Sequence, residues 1–282
     1  MNDIKVLREN SDFKFTFHDT VLEDKPDLEH THDEFEIAFF IKADLQIFVK
    51  DQQYHIKDGD LLLVGEYEIH KILYTKNTRY TRYVLMFTRK YIEDILKVLD
   101  IENVLQHIQQ LKQKRFKPSL KQTDEIMHYI KCMETNKDHL LGTSTDNAIL
   151  KLNLAMLLLF LCECTNKSHQ TQLVAGTEEI IRQIIHYLNL HYKEPISLEG
   201  IEGEFHLSRY HLCRMFKKYT GFSIGEYVRN KKIIEAQKML KQTDRSITEI
   251  CFDCGFQSLQ HFFRVFKKLT NTTPYQYKKG LK

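Results

Sequence analysis

A thirteen-residue block occurs twice in this chain of 282 residues, fifty positions apart. Ser208 to Thr220 reads SRYHLCRMFKKYT, and Ser258 to Thr270 reads SLQHFFRVFKKLT, with seven positions identical. The shared residues include one Arg and two Lys per copy, so one basic helical unit is used twice. Two equivalent basic helices a fixed distance apart suit a periodic polyanion, and duplex DNA is the obvious one.

The repeat extends upstream with a change of register. Leu198, Ile201 and Leu207 match Ile247, Ile250 and Phe256 at an offset of 49, which places one added residue in the second copy around Gln257. A turn tolerates an added residue and a helix interior does not. Each copy therefore reads as helix-turn-helix, about 198–205 then 208–219, and about 247–254 then 258–269.

The second helix of each unit is the one expected in the major groove. In the first, Arg209, Tyr210 and Arg214 are predicted to face outward, and Leu212, Met215 and Phe216 inward. In the second, Leu259, Gln260, Phe263 and Arg264 form the outward set, and Phe262, Val265 and Phe266 the inward one. Arg suits guanine, Gln suits adenine, and an apolar tip suits a thymine methyl. Lys217, Lys218, Lys267 and Lys268 suit phosphates. One such helix is equally well a solvated charged face; matched Arg and Lys-Lys in two copies argue for DNA.

Charge follows the repeat. The net charge is only +3, yet residues 177–282 carry 18 Lys+Arg against 11 Asp+Glu, leaving residues 1–176 acidic. The six cysteines have no disulfide-framework spacing and read as reduced thiols of a cytoplasmic protein. Cys251 and Cys254 lack a second ligand pair for zinc and are expected in a core. The N-terminus shows no charged-plus-apolar leader, so no signal peptide is expected. The most apolar stretch, 148–164, is interrupted by Lys151, Asn153 and Glu163 and reads as a buried helix rather than a membrane span.

The first ninety residues read as β. Phe35 to Ile41 is apolar except for Glu36; Leu45, Ile47 and Val49 alternate, with a turn at Asp51-Gln52 into Tyr54-His55-Ile56; Asp58-Gly59-Asp60 turns into Leu61 to Val64; and Tyr83, Leu85 and Phe87 alternate again. Short strands at this spacing predict a small antiparallel sandwich or barrel. Helical spacing follows at Ile92, Ile95, Leu96 and Leu99, at Ile126, Tyr129, Ile130 and Met133, and over about 145–164. That third helix is apolar on more than one face, which suits packing on the β domain or on another subunit. Residues 168–176 read as a linker between domain 1–167 (β to about 90, helices 91–167) and domain 177–282. Beyond it, Thr177 with Glu178-Glu179, Ser223 with Glu226, Ser246 with Glu249, and Thr273-Pro274 are helix-start signals packed close together, so this domain is predicted all-α.

Residues 177–282 resemble the C-terminal domain of AraC/XylS-type transcription regulators. The resemblance rests on LSRYHLCRMFKKYTGFSIGEYV, on Arg229, Lys232 and Ala236, and on ITEICFDCGFQSLQHFFRVFKKLTNTTPYQY. It implies two helix-turn-helix units joined by a long helix of roughly 223–240, reading adjacent major-groove segments on one DNA face. It also implies base- or phosphate-contacting roles for Arg214 and Arg264. Asn271 departs from a usual Gly at a left-handed position that Asn tolerates. Gly200-Ile-Glu-Gly203, with Glu202 where the family has Ala, puts two glycines in a helix at a cost of roughly 1 kcal/mol each. The first unit is accordingly expected to be the looser one, ordered by DNA.

His30, His32, Glu36 and His70 have the spacing of the ligands of a cupin barrel, and alternation on a strand puts His30 and His32 on one face. With Gly59-Asp60-Leu61-Leu62 they resemble the sensor domain usual in this family, although Ala43 replaces a cupin Gly and Gly65 and Tyr67 replace its Pro and Gly. Three readings stand: a divalent metal site, a ligand pocket lined by these side chains, or structural histidines at the barrel mouth. The fold expected is α+β in two domains: a cupin-like β-barrel with a helical extension, then the all-α DNA-binding domain. The function expected is a non-enzymatic, cytoplasmic, dimeric regulator that binds DNA sequence-specifically and responds to a small-molecule effector, with a sugar or related metabolite the best match. It works by population shift, needs no cofactor beyond a possible divalent metal, contacts RNA polymerase if it is an activator, and does not engage a membrane. Its rivals are a metal-dependent cupin enzyme with an accessory DNA domain, and a ligand-independent DNA-binding protein.

Overall fold

The structure is a computed structural model that describes residues 3–21, 32–73, 78–135, 143–166 and 176–280. Two antiparallel sheets form the N-terminal domain. One contains β1 (Asp3–Glu9), β2 (Phe13–Val21), β3 (Phe35–Lys42), β6 (Leu61–Val64), β8 (Arg79–Phe87) and β9 (Arg115–Phe116), in the order β1-β2-β8-β3-β6-β9. The other contains β4 (Asp44–Val49), β5 (Gln52–Lys57) and β7 (His70–Leu73), in the order β5-β4-β7. The sheets face each other as a sandwich, one of the two forms expected, and among the described residues they are not joined into one closed barrel. The β4–β5 hairpin turns at Lys50-Asp51, one residue before the expected position, with Lys50 at φ 62°.

The apolar run in β3, broken only by Glu36, has a direct cause: both faces of the six-stranded sheet are covered. Phe35, Ile37 and Phe39, with Phe13, Phe15, Leu63, Leu85 and Phe87, pack under helices. Ala38 and Phe40, with Leu62, Val64 and Val84, pack against Leu45, Ile47, Tyr54, Ile56 and Ile72 of the other sheet. Glu36 shares that inner face and is buried. The covering helices are α1 (Arg89–Val98), α2 (Asn103–Gln110), α3 (Leu120–Thr135) and α4 (Thr143–Asn166). Among the described residues α4 alone is long and apolar enough to cross a membrane. It packs on α1, α2 and α3 and buries Leu150, Leu154, Leu157, Leu158 and Leu161 in the domain core. The sequence expectation of a core helix is met, and its outer face leaves Leu152 and Met156 exposed.

The C-terminal domain is all helix: α5 (Gly176–His191), α6 (Leu198–Phe205), α7 (Arg209–Thr220), α8 (Ile224–Gln242), α9 (Ile247–Asp253), α10 (Leu259–Thr270) and α11 (Pro274–Gly280). Units α6–α7 and α9–α10 each bury one apolar core, and α8 serves both. Tyr227 and Ile234 enter the first core; Ile233, Ala236 and Leu240 enter the second. Both expected capping boxes, Ser223/Glu226 and Ser246/Glu249, are formed. Cys251 and Cys254 are buried in the second core, where burial holds both thiols above their usual range. The added residue of the second copy lies in its turn. That turn opens with Gly255 at φ 75°, at the place where the first unit has His206 at φ 52°.

Gly255 is required twice over. Its φ is left-handed, and a Cβ there would lie 2.0 Å from the Lys193 carbonyl oxygen of the loop after α5. By contrast, a Cβ on Gly203 in α6 would meet nothing within 4 Å. In equilibrium unfolding by denaturant, Gly255→Ala should therefore destabilise the chain by at least about 2 kcal/mol. Gly203→Ala should stabilise it by up to about 1 kcal/mol.

Candidate functional site

On the C-terminal domain the outward set, Phe263 aside, lies where the repeat placed it. Arg209, Tyr210, Arg214, Lys217 and Lys218 on α7 are exposed, as are Leu259, Gln260, Arg264, Lys267 and Lys268 on α10. The inward residues Leu212, Phe216, Phe262, Val265 and Phe266 are buried, and Met215 packs against the first core. Phe263 differs from expectation: it is half-buried, edge-on to Phe262 and packed against the second core, because the side of α10 it occupies still overlaps that core. Arg209 donates to Glu199 at 3.2 Å, an exposed pair that contributes little to stability. The Arg214 guanidinium stands 6.0 Å from the centre of the Tyr210 ring. Ser258 caps α10 by accepting from the His261 amide, whereas Ser208 stands at the N-cap of α7 without such a bond.

In the sensor, three of the four predicted residues converge. His32, Glu36 and His70 bring one ligand atom each to within 4.8 Å of one another; His30 lies outside the described residues. His32 Nε2 and His70 Nε2 are 3.3 Å apart, and the Glu36 carboxylate lies 3.7 Å and 3.4 Å from them. The opposite ring nitrogens face backbone carbonyls, His70 Nδ1 that of Glu68 at 2.9 Å and His32 Nδ1 that of Glu34 at 3.2 Å. In the neutral ring, an Nδ1 that donates to a carbonyl leaves Nε2 as the electron-pair donor, the orientation a metal-binding imidazole requires; in the protonated ring the same Nε2 donates to Glu36 instead. Burial alone would raise the Glu36 carboxyl, but the hydrogen bonds from His32 and His70 and the charges of His70 and Arg82 hold it well below the usual range.

Sequence reasoning missed two members of this lining, His18 and Arg82. They are opposite each other on β2 and β8, on the inner face, with Arg82 3.7 Å from Glu36. The signal was available in the alternation Thr16, His18, Thr20 along β2. Arg82 Nε and Thr20 Oγ1 are buried with no hydrogen-bond partner among the described residues. His18, buried beside Arg82, has its pKa lowered to about 4, chiefly by burial and then by the Arg82 charge.

This cluster adjoins the second domain. Asp33, next to His32, accepts from the Tyr277 hydroxyl at 2.9 Å and lies 3.7 Å from Lys241 at the end of α8. Lys71, next to His70, stands 4.6 Å from the centre of the Phe222 ring, and Phe48 meets Tyr219 and Phe222 edge-on. A cavity of about 370 Å³ remains between the domains, lined by Lys50, Tyr67, Asn189, Tyr227, Lys231 and Lys238 among others.

Comparison with known proteins assigns a class to both domains. An AraC-like ligand binding domain matches residues 28–140, and a helix-turn-helix domain matches residues 202–280. The probable transcription factor PqrA of Proteus vulgaris is 38% identical over 105 residues, which cover 36% of this chain and 86% of PqrA. Regulatory protein SoxS of Salmonella typhimurium is 32% identical, over 37% of this chain and 97% of its own. The right origin-binding protein of Escherichia coli is 37% identical over 36% of this chain, but the match spans only 35% of that protein. Among solved structures, apo ToxT from Vibrio cholerae aligns with 97% of this chain and 99% of its own at 16% identity, with a TM-score of 0.40. The chain belongs to the AraC/XylS family of DNA-binding transcriptional regulators.

His18 makes the sensor acid-sensitive. Its pKa falls from 6.5 to about 4 on folding, so between these values the unfolded chain binds the proton that the folded chain does not. The His18 contribution is fully present above pH 6.5 and should be lost as the pH falls toward 4, by roughly 3 kcal/mol over that window. Stability measured by urea unfolding in His18→Gln should lack this part of the decline.

Proposed function

We propose that the protein regulates transcription in the cytoplasm by reading two adjacent major-groove segments through α7 and α10, under control of a small molecule held between the two sensor sheets. The observation that carries the effector half is Arg82 on the inner face: its Nε is buried with no hydrogen-bond partner among the described residues, and its guanidinium lies 3.7 Å from Glu36, which adjoins His32 and His70. Buried donors are normally satisfied. A ligand rich in oxygen acceptors and hydroxyls, such as a sugar or a related metabolite, suits this lining. The carrying observation for the DNA half is the exposure of the matched Arg and Lys-Lys residues of both repeats.

A second reading of the cluster is favoured by its ring orientations. His32, Glu36 and His70 have the donor types, the proximity and the carbonyl-anchored Nδ1 atoms of a divalent-metal site. A bound metal would there supply a positive centre for an effector oxygen. Homodimerisation through the outer face of α4, where Leu152 and Met156 are exposed, fits the expected dimer. Contact with RNA polymerase follows if the protein is an activator.

The test of the DNA half is selection of bound genomic fragments, followed by titration of variants on the selected site. Arg264→Ala should cost about 1–3 kcal/mol there and relax specificity at one position. Lys267→Ala should weaken all sequences alike and flatten the salt dependence. Two variants that bind as wild type does would overturn the placement of α10.

The effector half is tested by thermal unfolding with a panel of sugars and of divalent metals. A ligand at a hundred times its Kd should add about 2.7 kcal/mol to stability, and His70→Ala should abolish the gain. Stabilisation by metal alone would select the metal reading, and chelator-sensitive turnover would favour the enzyme alternative.

A further inference from the structure

The DNA-binding domain contains a second basic feature, apart from the outward-facing Arg and Lys residues of the two recognition helices. A cleft of about 340 Å³ lies at the junction of the two units, lined by Lys193, Arg229, Lys232, Gln257 and His261 around Gly255 and Phe256. Its walls come from three elements: the loop after α5, the middle of α8, and the turn that leads into α10. The close approach of Gly255 to the Lys193 carbonyl fixes the two units against each other here.

Among the described residues the lining contains no carboxylate. The acids next in sequence are engaged elsewhere, Asp253 with Arg245 and Glu194 with His191. Lys232 is half-buried, donates to the Gly255 carbonyl at 2.7 Å and stands over the Phe256 ring; burial lowers its pKa. Lys193, Arg229, Gln257 and His261 are exposed. A concave site that offers ammonium, guanidinium and amide donors and no acidic group fits an anion with several acceptor oxygens.

We infer that this cleft takes a backbone phosphate of the DNA segment that lies between the two major-groove half-sites. The inference rests on the regulator reading above and deepens it. With α7 and α10 each in the major groove, the stretch between them presents the sugar-phosphate backbone to the junction of the units. Arg229 and Lys193 bind that phosphate from the two sides of the cleft, while Lys232 holds the cleft together and adds charge. The contact carries no sequence information; it sets the register of one half-site against the other.

The test uses the full chain with Arg229→Gln, Lys193→Gln and the double variant, on the selected duplex and on a random-sequence duplex. Each single variant should lower the magnitude of the salt slope by about 1. The double variant should bind both duplexes about tenfold more weakly at low salt. A duplex with neutral methylphosphonates between the half-sites should weaken wild type by the same factor and leave the double variant unchanged. This arm needs no folded variant.

A double variant with wild-type affinity and slope, beside a Lys267→Gln control that is weakened, would overturn the inference. So would a loss confined to the selected sequence, or wild-type indifference to the methylphosphonates. Failure of the wild-type chain to bind any duplex would instead remove the regulator reading itself.

Discussion

Helix α8 is the constraint on which the rest of the DNA-binding domain depends. Its nineteen residues span about 28 Å at 1.5 Å per residue. The helix can serve as a fixed spacer because it is buried from both sides. Tyr227 and Ile234 belong to the first core and Ile233, Ala236 and Leu240 to the second. Even its buried amide is satisfied internally, Asn230 donating to the Glu226 carbonyl at 2.9 Å. A capping box starts it at Ser223, and the Gly255–Lys193 contact closes the angle between the units from outside the helix. Loss of any of these would let the two readers move independently, and a two-part site would then be bound as two weak ones.

The sensor touches this spacer at both ends. Near its start, Phe222 and Tyr219 meet Phe48, and Gly221 lies against Leu73 and Lys71. At its end, Lys241 and Tyr277 meet Asp33, and Lys238 and Lys241 stand over the Tyr67 ring. Asp33 and Lys71 are the chain neighbours of His32 and His70. A change in the geometry of the inner-face cluster is therefore one residue away from each end of α8. In the proposed mechanism that short path is the one a population shift uses: the ligand need only prefer one arrangement of β7 and the segment before β3.

Much of this was legible in the repeat and little of it in the sensor. Amphipathic helices with matched caps fix which residues face a core, so Leu212, Phe216, Phe262 and Phe266 could be placed inward from spacing alone. Phe263 was misjudged because a helix position at the margin of the apolar face is decided by the neighbour's shape, not by periodicity. In the sensor, His32, Glu36 and His70 were found because their spacing is local or familiar. His18 and Arg82 were not, because they meet across β2 and β8, a pairing that depends on long-range register. The contacts of Asp33 with Tyr277, and of Lys193 with Gly255, lie between parts of the chain whose relative placement no local pattern encodes.

The two reading units are unequal, and the inequality is distributed across domains. In α6 only Ile201 is buried, and Gly200 and Gly203 each cost roughly 1 kcal/mol relative to Ala. In α9 a capping box is formed, and Ile250 and Cys251 are both buried. On helix energetics the first unit is the weaker. Yet it is this unit whose core continues into the sensor, since Phe48 and Ile69 belong to the same apolar cluster as Tyr219 and Phe222. The second unit meets the sensor through polar contacts at Asp33 and Glu66 and through the Tyr67 ring. Apolar burial is non-directional and tolerates small shifts, whereas hydrogen bonds weaken steeply with angle and distance. The first unit is thus held to the N-terminal domain chiefly by apolar packing, and the second chiefly by polar contacts.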